Sequence, residues 1–599
     1  MSLEIRSAVK TNDCWNVECM YPTYDDWLKD FEKKFSSSDV FSPLEKFRGR
    51  LAAGAGTVKD LLDHVFQADR DLSYLYTYAH LRHDEDIAED RHKTGFIRIC
   101  SVFHEFSRAV SWIEPELLLL PQEKISEYLQ ADVLKEYRFH LEKILRVKNH
   151  TLSSQEESLL ALSAEALDGY TKAFSALNNA DLAFGSAKDS SGKEHEITHA
   201  SYGVFLRDRD RTLRENAFKG MHEKFEDYEN TISELLTGLV KKHLFRSKAR
   251  KYTSCLEASL YPKNIDTQVY HSLVETVNSK IGVLHDYIDL REKTMNVGPL
   301  HLYDMYVPVT PEFDITMTFE EACDLIIESV APLGEEYTQI LAKGLREDRW
   351  VDRYENKGKR SGAYSNGCHD SMPYILMNYK DVLRDVFTLA HEAGHSMHSY
   401  YSRKHQPYCY SDYPIFLAEV ASTFNEELLM QHMMKKAKSK EEKIYLLNMK
   451  IEDIRATLFR QTMFAEFELS IHTKAERNEP LTPANLKEEF YKLNQKYFGP
   501  KVEIDSVAKI EWARIPHFYA DFYVYQYATG ISAALALADR VLHGGVKERD
   551  EYLNFLKSGS SKYPVETLKI AGVDMSTGEP VTAAINRFHD LVTEMRALL

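Results

Sequence analysis

The chain has 599 residues, of which 28% are charged and 44% are hydrophobic, and its formal net charge at pH 7 is −17. So acidic a protein is poorly suited to nucleic acid or an anionic membrane surface, and we expect neither as a partner. No segment approaches about 18 uncharged apolar residues, and the first ten residues lack the apolar core of a secretory signal. We therefore expect a cytoplasmic protein, and the sequence indicates no oligomeric state.

The composition, with only 25 glycines and 18 prolines, favours helices over sheet, so the predicted fold class is mainly α. From residue 24 to about residue 181 the chain shows amphipathic helical patterns that are interrupted near prolines. A polar turn at 189–193 then separates two short β-prone runs. We place a boundary here and predict an N-terminal helical region at 1–185 and a catalytic region at 186–599.

Two β-prone runs in the second region, at 301–309 and 373–379, predict short extended segments. The second run leads directly into a helical pattern, so we expect a small sheet next to that helix. An exposed edge of such a sheet can pair with the backbone of an extended peptide, which gives affinity with little demand on side chains.

The helix that follows, predicted at 382–401 with Asp381 placed to cap it, contains a His-Glu-x-x-His pattern. Its histidines, His391 and His395, lie four residues apart, on one face of an α-helix and about 6 Å apart along the axis. Both can meet one metal ion. Glu392 lies next to the first histidine, where its carboxylate can act as a catalytic base without being a ligand. The pattern predicts a Zn²⁺ site.

Catalytic zinc commonly has three protein ligands, so a third ligand is needed. His398 lies seven residues after His391, about 10 Å further along the helix, which is too far for both to bind one ion. His405, in a polar segment, stays an alternative. Glu419 lies in an otherwise apolar helical pattern, where an unpaired carboxylate is costly and a metal ion would explain it. Glu426, on the same face, is expected either to orient a ligand histidine or to form a surface salt bridge.

The pattern at 391–395, together with Glu419 in residues 417–422, resembles the thimet oligopeptidase family of zinc peptidases, family M3, and in particular its oligoendopeptidase F branch. Further segments resemble that branch: 303–308, 362–364, 373–379, 517–530, 563–564 and 572–575. The resemblance implies that Glu419 is the third ligand of one Zn²⁺ per chain. It also implies a two-lobed helical ellipsoid with a small β-sheet beside a deep central channel, a zincin-like metallopeptidase in which residues 1–185 contribute to the channel lid.

A downstream segment at 515–527 resembles the family's His and Tyr motif, whose side chains donate hydrogen bonds to the transition state. His517 matches that motif. The spacing from the histidine to the tyrosines is shorter here than in the thimet branch, so four tyrosines are candidates: Tyr519, Tyr523, Tyr525 and Tyr527. We favour Tyr523 and Tyr525 as the catalytic tyrosines.

Sequence and resemblance together predict a zinc-dependent endopeptidase that hydrolyses internal peptide bonds of short unstructured oligopeptides. Zn²⁺ would polarise the scissile carbonyl, and Glu392 would carry a proton from water to the leaving amine. One alternative is a helical zinc carboxypeptidase, which needs a cationic residue to hold the free carboxylate of the substrate. The other is a non-catalytic peptide-binding protein, which would keep its function in the variant Glu392→Gln.

Overall fold

The computed structural model describes residues 3–35, 37, 39–310, 313 and 315–599. Helices dominate this part of the chain, which confirms the predicted mainly α class, and none of its helices is long and apolar enough to cross a bilayer. The α-helices are α1 (Tyr24–Phe35), α2 (Ser42–Glu45), α3 (Ala55–Glu85), α4 (Asp90–Val110), α5 (Ile113–Leu119), α6 (Gln122–Gln130), α7 (Arg138–Arg146), α8 (Ser154–Leu167), α9 (Gly169–Ala176), α10 (His199–Phe205), α11 (Arg211–Asp227), α12 (Glu229–Ala249), α13 (Cys255–Leu260), α14 (Thr267–Ser279), α15 (Gly282–Met295), α16 (Phe319–Ser329), α17 (Glu335–Arg346), α18 (Leu383–His405), α19 (Ile415–Lys436), α20 (Lys440–Ile454), α21 (Arg460–Glu476), α22 (Pro483–Phe498), α23 (Tyr525–His543), α24 (Val546–Leu556), α25 (Pro564–Ile570) and α26 (Glu579–Leu598). The strands are β1 (Ser186–Lys188), β2 (Glu194–Glu196), β3 (Leu300–His301), β4 (Val351–Asp352), β5 (Tyr364–Asn366), β6 (Tyr374–Leu376) and β7 (Val502–Glu503).

The chain forms two compact units, each built from three separate segments. Unit 1 comprises residues 1–149, 315–432 and 537–573, and unit 2 comprises residues 150–314, 433–536 and 574–599. The regions predicted from the sequence, with their boundary at 185/186, stay a prediction.

The core of unit 1 joins the N-terminal helices to strand β6. Trp15, Trp27 and Tyr78 are almost fully buried and belong to one hydrophobic cluster with residues of α1, α3 and α4. The indole groups keep hydrogen-bond partners, because Trp15 donates to Glu85 Oε1 at 2.6 Å and Trp27 donates to the Leu75 carbonyl at 3.0 Å. Strand β6 contributes to the same cluster, so these helices support the sheet.

The sheet of unit 1 has the strand order β4-β6-β5. Strand β6 is parallel to β4 and antiparallel to β5, and Ile375 at its centre faces both Val351 and Ser365. All of β6 is buried, whereas β5 is an edge strand and only half-buried. The hydroxyl groups of Ser365 and Ser396, the latter on α18, lie 2.8 Å apart. The small sheet therefore lies next to the predicted metal helix.

The predicted extended run at 301–309 does not continue as a strand. A 3-10 helix at Leu302–Met305 follows the short β3, which pairs in parallel with β7. The buried Asp304 carboxylate accepts a hydrogen bond from the backbone N–H three residues earlier at 3.1 Å, and it forms ion pairs with Arg211 and Arg214 at 2.9 and 2.7 Å. The hydrogen bond from the backbone closes a turn that ends the strand, and the two ion pairs, whose partners are distant in sequence, hold the turn in place.

Unit 2 is held together by buried charged groups as well as by helix packing. Arg291 on α15 is fully buried and donates hydrogen bonds to the carbonyl groups of Asp304 and Val307 at 2.6 and 2.7 Å. It also forms an ion pair with Glu452 on α20 at 3.0 Å. Because removal of one partner leaves a buried charge unpaired, such contacts tie the two helices strongly to the loop after β3.

Candidate metal centre

Helix α18 begins at Leu383 and ends at His405, so it starts one residue later and ends four residues later than predicted. Asp381 does not cap it, because Asp381 lies before the helix with φ of +57°, and the helix start has no side-chain cap. Instead the Asp385 carboxylate, inside the first turn, accepts a hydrogen bond from the backbone N–H of Lys380 at 2.7 Å. An acidic side chain in this turn also complements the helix dipole.

Three candidate ligand atoms from α18 and α19 converge on one point. His391 Nε2 lies 3.1 Å from His395 Nε2 and 3.2 Å from Glu419 Oε2, and His395 Nε2 lies 3.7 Å from Glu419 Oε2. With bonds of about 2.1 Å, tetrahedral ligands of one zinc ion lie about 3.4 Å apart. The three residues predicted as ligands are therefore brought together at spacings that suit a single ion.

The imidazole rings are oriented by their surroundings. His391 Nδ1 lies 2.5 Å from Glu426 Oε1, and because a carboxylate accepts, Nδ1 carries the proton and Nε2 presents its lone pair to the cluster. Of the two roles open for Glu426, contact with a ligand histidine is the one observed. His395 forms a hydrogen bond to the backbone of Ala418. Two oriented imidazoles and a carboxylate fit a divalent ion of the zinc type.

Gly394, which lies between the two histidines, allows α18 to pack closely on α19. A Cβ atom at this position would lie 2.6 Å from the carbonyl oxygen of Ala421 and 2.6 Å from Ser422 Cα. The same Ser422 donates its hydroxyl to Glu419 Oε2 at 3.3 Å. No motif in the sequence indicated a role for Gly394 or Ser422. Small residues that face each other on two helices shorten the interaxial distance, and that is the signal that could have identified them.

Glu392 lies in a buried position beside the cluster. It is 7% exposed, and this burial raises the pKa of its carboxyl to about 7. The nearby Glu419 carboxylate raises the pKa further, whereas a hydrogen bond from the backbone of Ser365 on β5 favours the charged form. A carboxyl with a pKa near neutrality can both accept and release a proton, which is the property a catalytic base needs.

The other two histidines of α18 lie elsewhere. His398 is fully buried, and its ring stacks on Tyr413 with ring centroids 3.7 Å apart. His405 is the last residue of the helix, and its Nδ1 lies 2.9 Å from the Tyr401 carbonyl oxygen. Neither histidine is part of a group of converging ligand atoms in the described ranges.

The predicted downstream residues lie in unit 2, where three of them form a group. The Tyr527 hydroxyl lies 3.3 Å from His517 Nε2, and the rings of His517 and Tyr523 are parallel with centroids 6.2 Å apart. The rings of Tyr523 and Tyr527 meet edge to face at 5.4 Å. Tyr525 is instead buried, and its ring packs against Tyr270 at 5.0 Å. The structure groups His517 with Tyr523 and Tyr527, and it places Tyr525 in the core.

The fold and this site together define a class of protein. Two imidazoles and a carboxylate that face one point, with a buried glutamate next to the first imidazole, form the donor set of metallopeptidases. The sequence model of Peptidase family M3 matches residues 204–587, and the model of Oligopeptidase F matches residues 116–184. The chain belongs to peptidase family M3.

Individual relatives agree with this assignment over the whole chain. Oligopeptidase PepF of Bacillus subtilis (strain 168) is 44% identical over 99% of this chain and 88% of its own length. The oligoendopeptidase F homolog of Borreliella burgdorferi is 38% identical, with 99% of each chain covered. A crystal structure of oligoendopeptidase F from Enterococcus faecium superimposes with a TM-score of 0.73 at 36% identity, over 97% of this chain and 99% of the other. The chain is a metal-dependent endopeptidase of the oligoendopeptidase F branch that cleaves oligopeptides.

Proposed function

We propose that the metal of this endopeptidase is a single catalytic Zn²⁺ held by His391, His395 and Glu419, and that Glu392 is the general base. The observation that carries this proposal is the convergence of the three ligand atoms within 4.8 Å of one another. Two imidazole nitrogens and one carboxylate oxygen suit zinc better than magnesium or calcium, which prefer oxygen ligands. When bound, Zn²⁺ supplies a Lewis acid that polarises the scissile carbonyl and lowers the pKa of water.

The chain's own groups supply the proton transfers. Glu392 lies next to His391 along α18 and is buried, so its carboxylate is kept away from bulk water. It takes a proton from the attacking water and delivers it to the leaving amine. The Glu426 carboxylate holds the Nδ1 proton of His391 and thereby keeps the lone pair of Nε2 directed at the ligand cluster.

The edge strand β5 is the proposed docking element for the peptide substrate. It pairs with β6 on one side only, and the backbone of its Ser365 lies within hydrogen-bond reach of Glu392. A peptide that pairs with this strand would have its backbone next to the proposed base. Pairing through the main chain makes few demands on side chains, which suits an enzyme that accepts many oligopeptides.

For the group of His517, Tyr523 and Tyr527 we propose the role that the family resemblance implies, donation of hydrogen bonds to the transition state. Tyr523→Phe and Tyr527→Phe are each expected to lower kcat about 10²-fold with little change in KM, because such a donor acts mainly in the transition state. Tyr525→Phe tests the original prediction for Tyr525. Because Tyr525 is buried, we expect this variant to lose stability and to keep its kcat. A selective loss of kcat would instead support the predicted catalytic role of Tyr525.

The decisive experiment on the proposed base is the variant Glu392→Gln, which keeps the size of the side chain and removes its basicity. We expect kcat to fall about 10²- to 10⁴-fold, with zinc content unchanged by elemental analysis. The substrate is a quenched fluorescent oligopeptide blocked at both ends, so that only internal cleavage gives a signal. Glu336→Gln, at an exposed glutamate of α17, is the control and should retain full turnover. Normal turnover in Glu392→Gln would refute the assignment.

A further inference from the structure

Unit 2 contains a second group of metal-ligand side chains, unrelated to the proposed catalytic centre. His243 lies on α12, His472 lies on α21, and Asp521 lies in the segment just before α23. One ligand atom from each falls within 4.8 Å of the other two. His243 Nδ1 is 3.0 Å from His472 Nε2 and 3.5 Å from Asp521 Oδ1.

These spacings match those of the proposed catalytic cluster. There the nitrogen atoms of His391 and His395 are 3.1 Å apart, and the nitrogen to oxygen distances to Glu419 are 3.2 and 3.7 Å. The distances from His243 to His472 and to Asp521 therefore lie close to the spacing of about 3.4 Å that ligands of one zinc ion adopt. The separation of 3.5 Å between His243 and Asp521 is long for a direct hydrogen bond but ordinary for two ligands of one ion.

The ring nitrogens are prepared to act as ligands. His472 Nδ1 lies 2.8 Å from the backbone carbonyl of Glu468, and because a carbonyl only accepts, Nδ1 carries the proton and Nε2 keeps a lone pair that faces His243. The Asp521 side chain is 44% exposed, which leaves a route for an ion from solvent.

Ionisable side chains of both signs surround the group. Glu468, one helical turn before His472, is fully buried, and its Oε2 has no hydrogen-bond partner among the described residues. Lys242 and Arg246 oppose a cation at His243, and Lys263 also lies near Asp521. The ammonium of Lys242 is paired with Asp168 at 2.5 Å, which offsets part of this opposition.

We propose that His243 Nδ1, His472 Nε2 and Asp521 Oδ1 bind a second divalent transition-metal ion of the zinc type, with the remaining coordination filled by water. The ion would hold in place the turn that leads to Tyr523. That turn contains Phe522, whose backbone has φ of +44° and whose N–H donates to Glu468 Oε1 at 2.8 Å. A positive φ is unfavourable for a phenylalanine, so surrounding contacts must hold Phe522 in this conformation. A metal ion bound by the preceding residue, Asp521, would be one such contact.

The test counts metal ions per chain. Purified full-length protein is equilibrated with ZnCl₂, dialysed, and analysed by elemental mass spectrometry. We expect two zinc ions in the wild type and one in Asp521→Asn. The matched control is Asp505→Asn, which alters another aspartate of unit 2 that contacts a single histidine, His301, at 2.9 Å, and it should retain two ions. Glu419→Gln, which removes a ligand of the other site, should lose an ion independently of Asp521.

Titration with cobalt provides a second, spectroscopic measurement. Titration of metal-free wild type with Co²⁺ should give two successive increases in visible absorption, and only one in Asp521→Asn, with Kd of the lost site raised at least 100-fold. Circular dichroism checks that the variant is folded. One ion per wild-type chain, or equal stoichiometry in Asp521→Asn and wild type, would show that the two histidines form only a hydrogen bond to each other. Loss of an ion in Glu419→Gln but not in Asp521→Asn would support the proposed catalytic site and refute the second site.

Discussion

The His391–Glu426 contact is the residue-scale feature that bears most directly on the proposed metal site. The carboxylate fixes which ring nitrogen carries the proton, and so determines which nitrogen faces Glu419. The sequence predicted His391, His395 and Glu419 as ligands from the spacing along a helix and from a carboxylate in an apolar pattern, and the structure brings these three side chains together. The sequence left Glu426 with two possible roles, since the contact that decides between them joins two helices.

Replacement of Glu426 by glutamine tests this contact. The amide is a weaker acceptor than a carboxylate, so the affinity for zinc should fall about 10- to 100-fold, measured by competition with a chromophoric chelator. Glu328→Gln is the matched control, because Glu328 also contacts a histidine of unit 1, His432, at 3.3 Å but lies outside the cluster. Equal zinc affinities in the two variants would argue that Glu426 forms only a structural ion pair.

The tyrosines after His517 show why the sequence alone could not choose among the four candidates. Tyr525 is the first residue of α23 and Tyr527 is two residues later, so they point about 200° apart around the helix. The sequence did not reveal which of these two faces turns toward His517, because both are rich in aromatic residues. In the structure Tyr527 contacts His517 and Tyr525 packs against Tyr270.

At the scale of elements, the close approach of α18 and α19 positions Glu419 against the two histidines. The sequence predicted both helices, but it could not predict the distance between their axes. That distance depends on the absence of a side chain at Gly394, which faces Ser422. The same limit applies to the strand after residue 300, where long-range ion pairs of Asp304 with two arginines fold the chain into a turn. Local pattern predicts the type of element, and contacts between elements decide where it ends and how it packs.

Gly394→Ala tests the packing of these helices. The added methyl group would lie 2.6 Å from backbone atoms of α19, which cannot rotate away, so α19 must shift. We expect a loss of about 1–3 kcal/mol in stability together with weaker zinc binding, measured by urea unfolding and metal titration. Gly203→Ala, at a helical glycine of α10 with open space around it, should be neutral or stabilising by up to about 1 kcal/mol. Unchanged zinc affinity in Gly394→Ala would contradict the role given to the close approach.

The sheet next to α18 depends on Asp84 at the end of α3. Its buried carboxylate accepts a hydrogen bond from the hydroxyl of Tyr364 on β5 at 2.9 Å and forms an ion pair with Arg360 at 3.2 Å. His80 and His83 also contact it, and together these partners lower the pKa of Asp84 to about 2. The folded protein is thus stabilised by the charged form of Asp84.

Asp84→Asn is expected to destabilise the protein by about 2 kcal/mol at pH 7, because the lowered pKa of Asp84 contributes stability above the unfolded value near 4. That contribution is lost as pH falls from about 4 toward 2, so the urea midpoints of wild type and variant should converge there. Asp370→Asn, at a half-exposed carboxylate paired with Arg70, should change stability by less than about 1 kcal/mol. A difference between wild type and Asp84→Asn that does not depend on pH would exclude the ionic explanation.

At the scale of the whole molecule, metal binding and folding stability are linked, because a site assembled from different helices exists only in the folded state. Removal of metal with a chelator should lower the apparent melting temperature by roughly 3–5 °C and abolish peptide cleavage, and both should return with zinc. Differential scanning fluorimetry with and without chelator measures the first effect. If Asp521 binds a second ion, the chelator should lower the melting temperature of Asp521→Asn by less than that of wild type. No thermal effect of verified metal removal would contradict the linkage.

Unit 1 is assembled from three stretches of chain, and its last stretch begins roughly 400 residues after the first one ends. At a synthesis rate of about 5–20 residues per second, the ribosome needs tens of seconds to deliver the missing stretch. The aromatic cluster around Trp15 and Trp27 emerges early, well before the segment with His391 and Glu419. The N-terminal helices are therefore synthesised long before strand β6, which adds Tyr374 and Leu376 to their hydrophobic cluster.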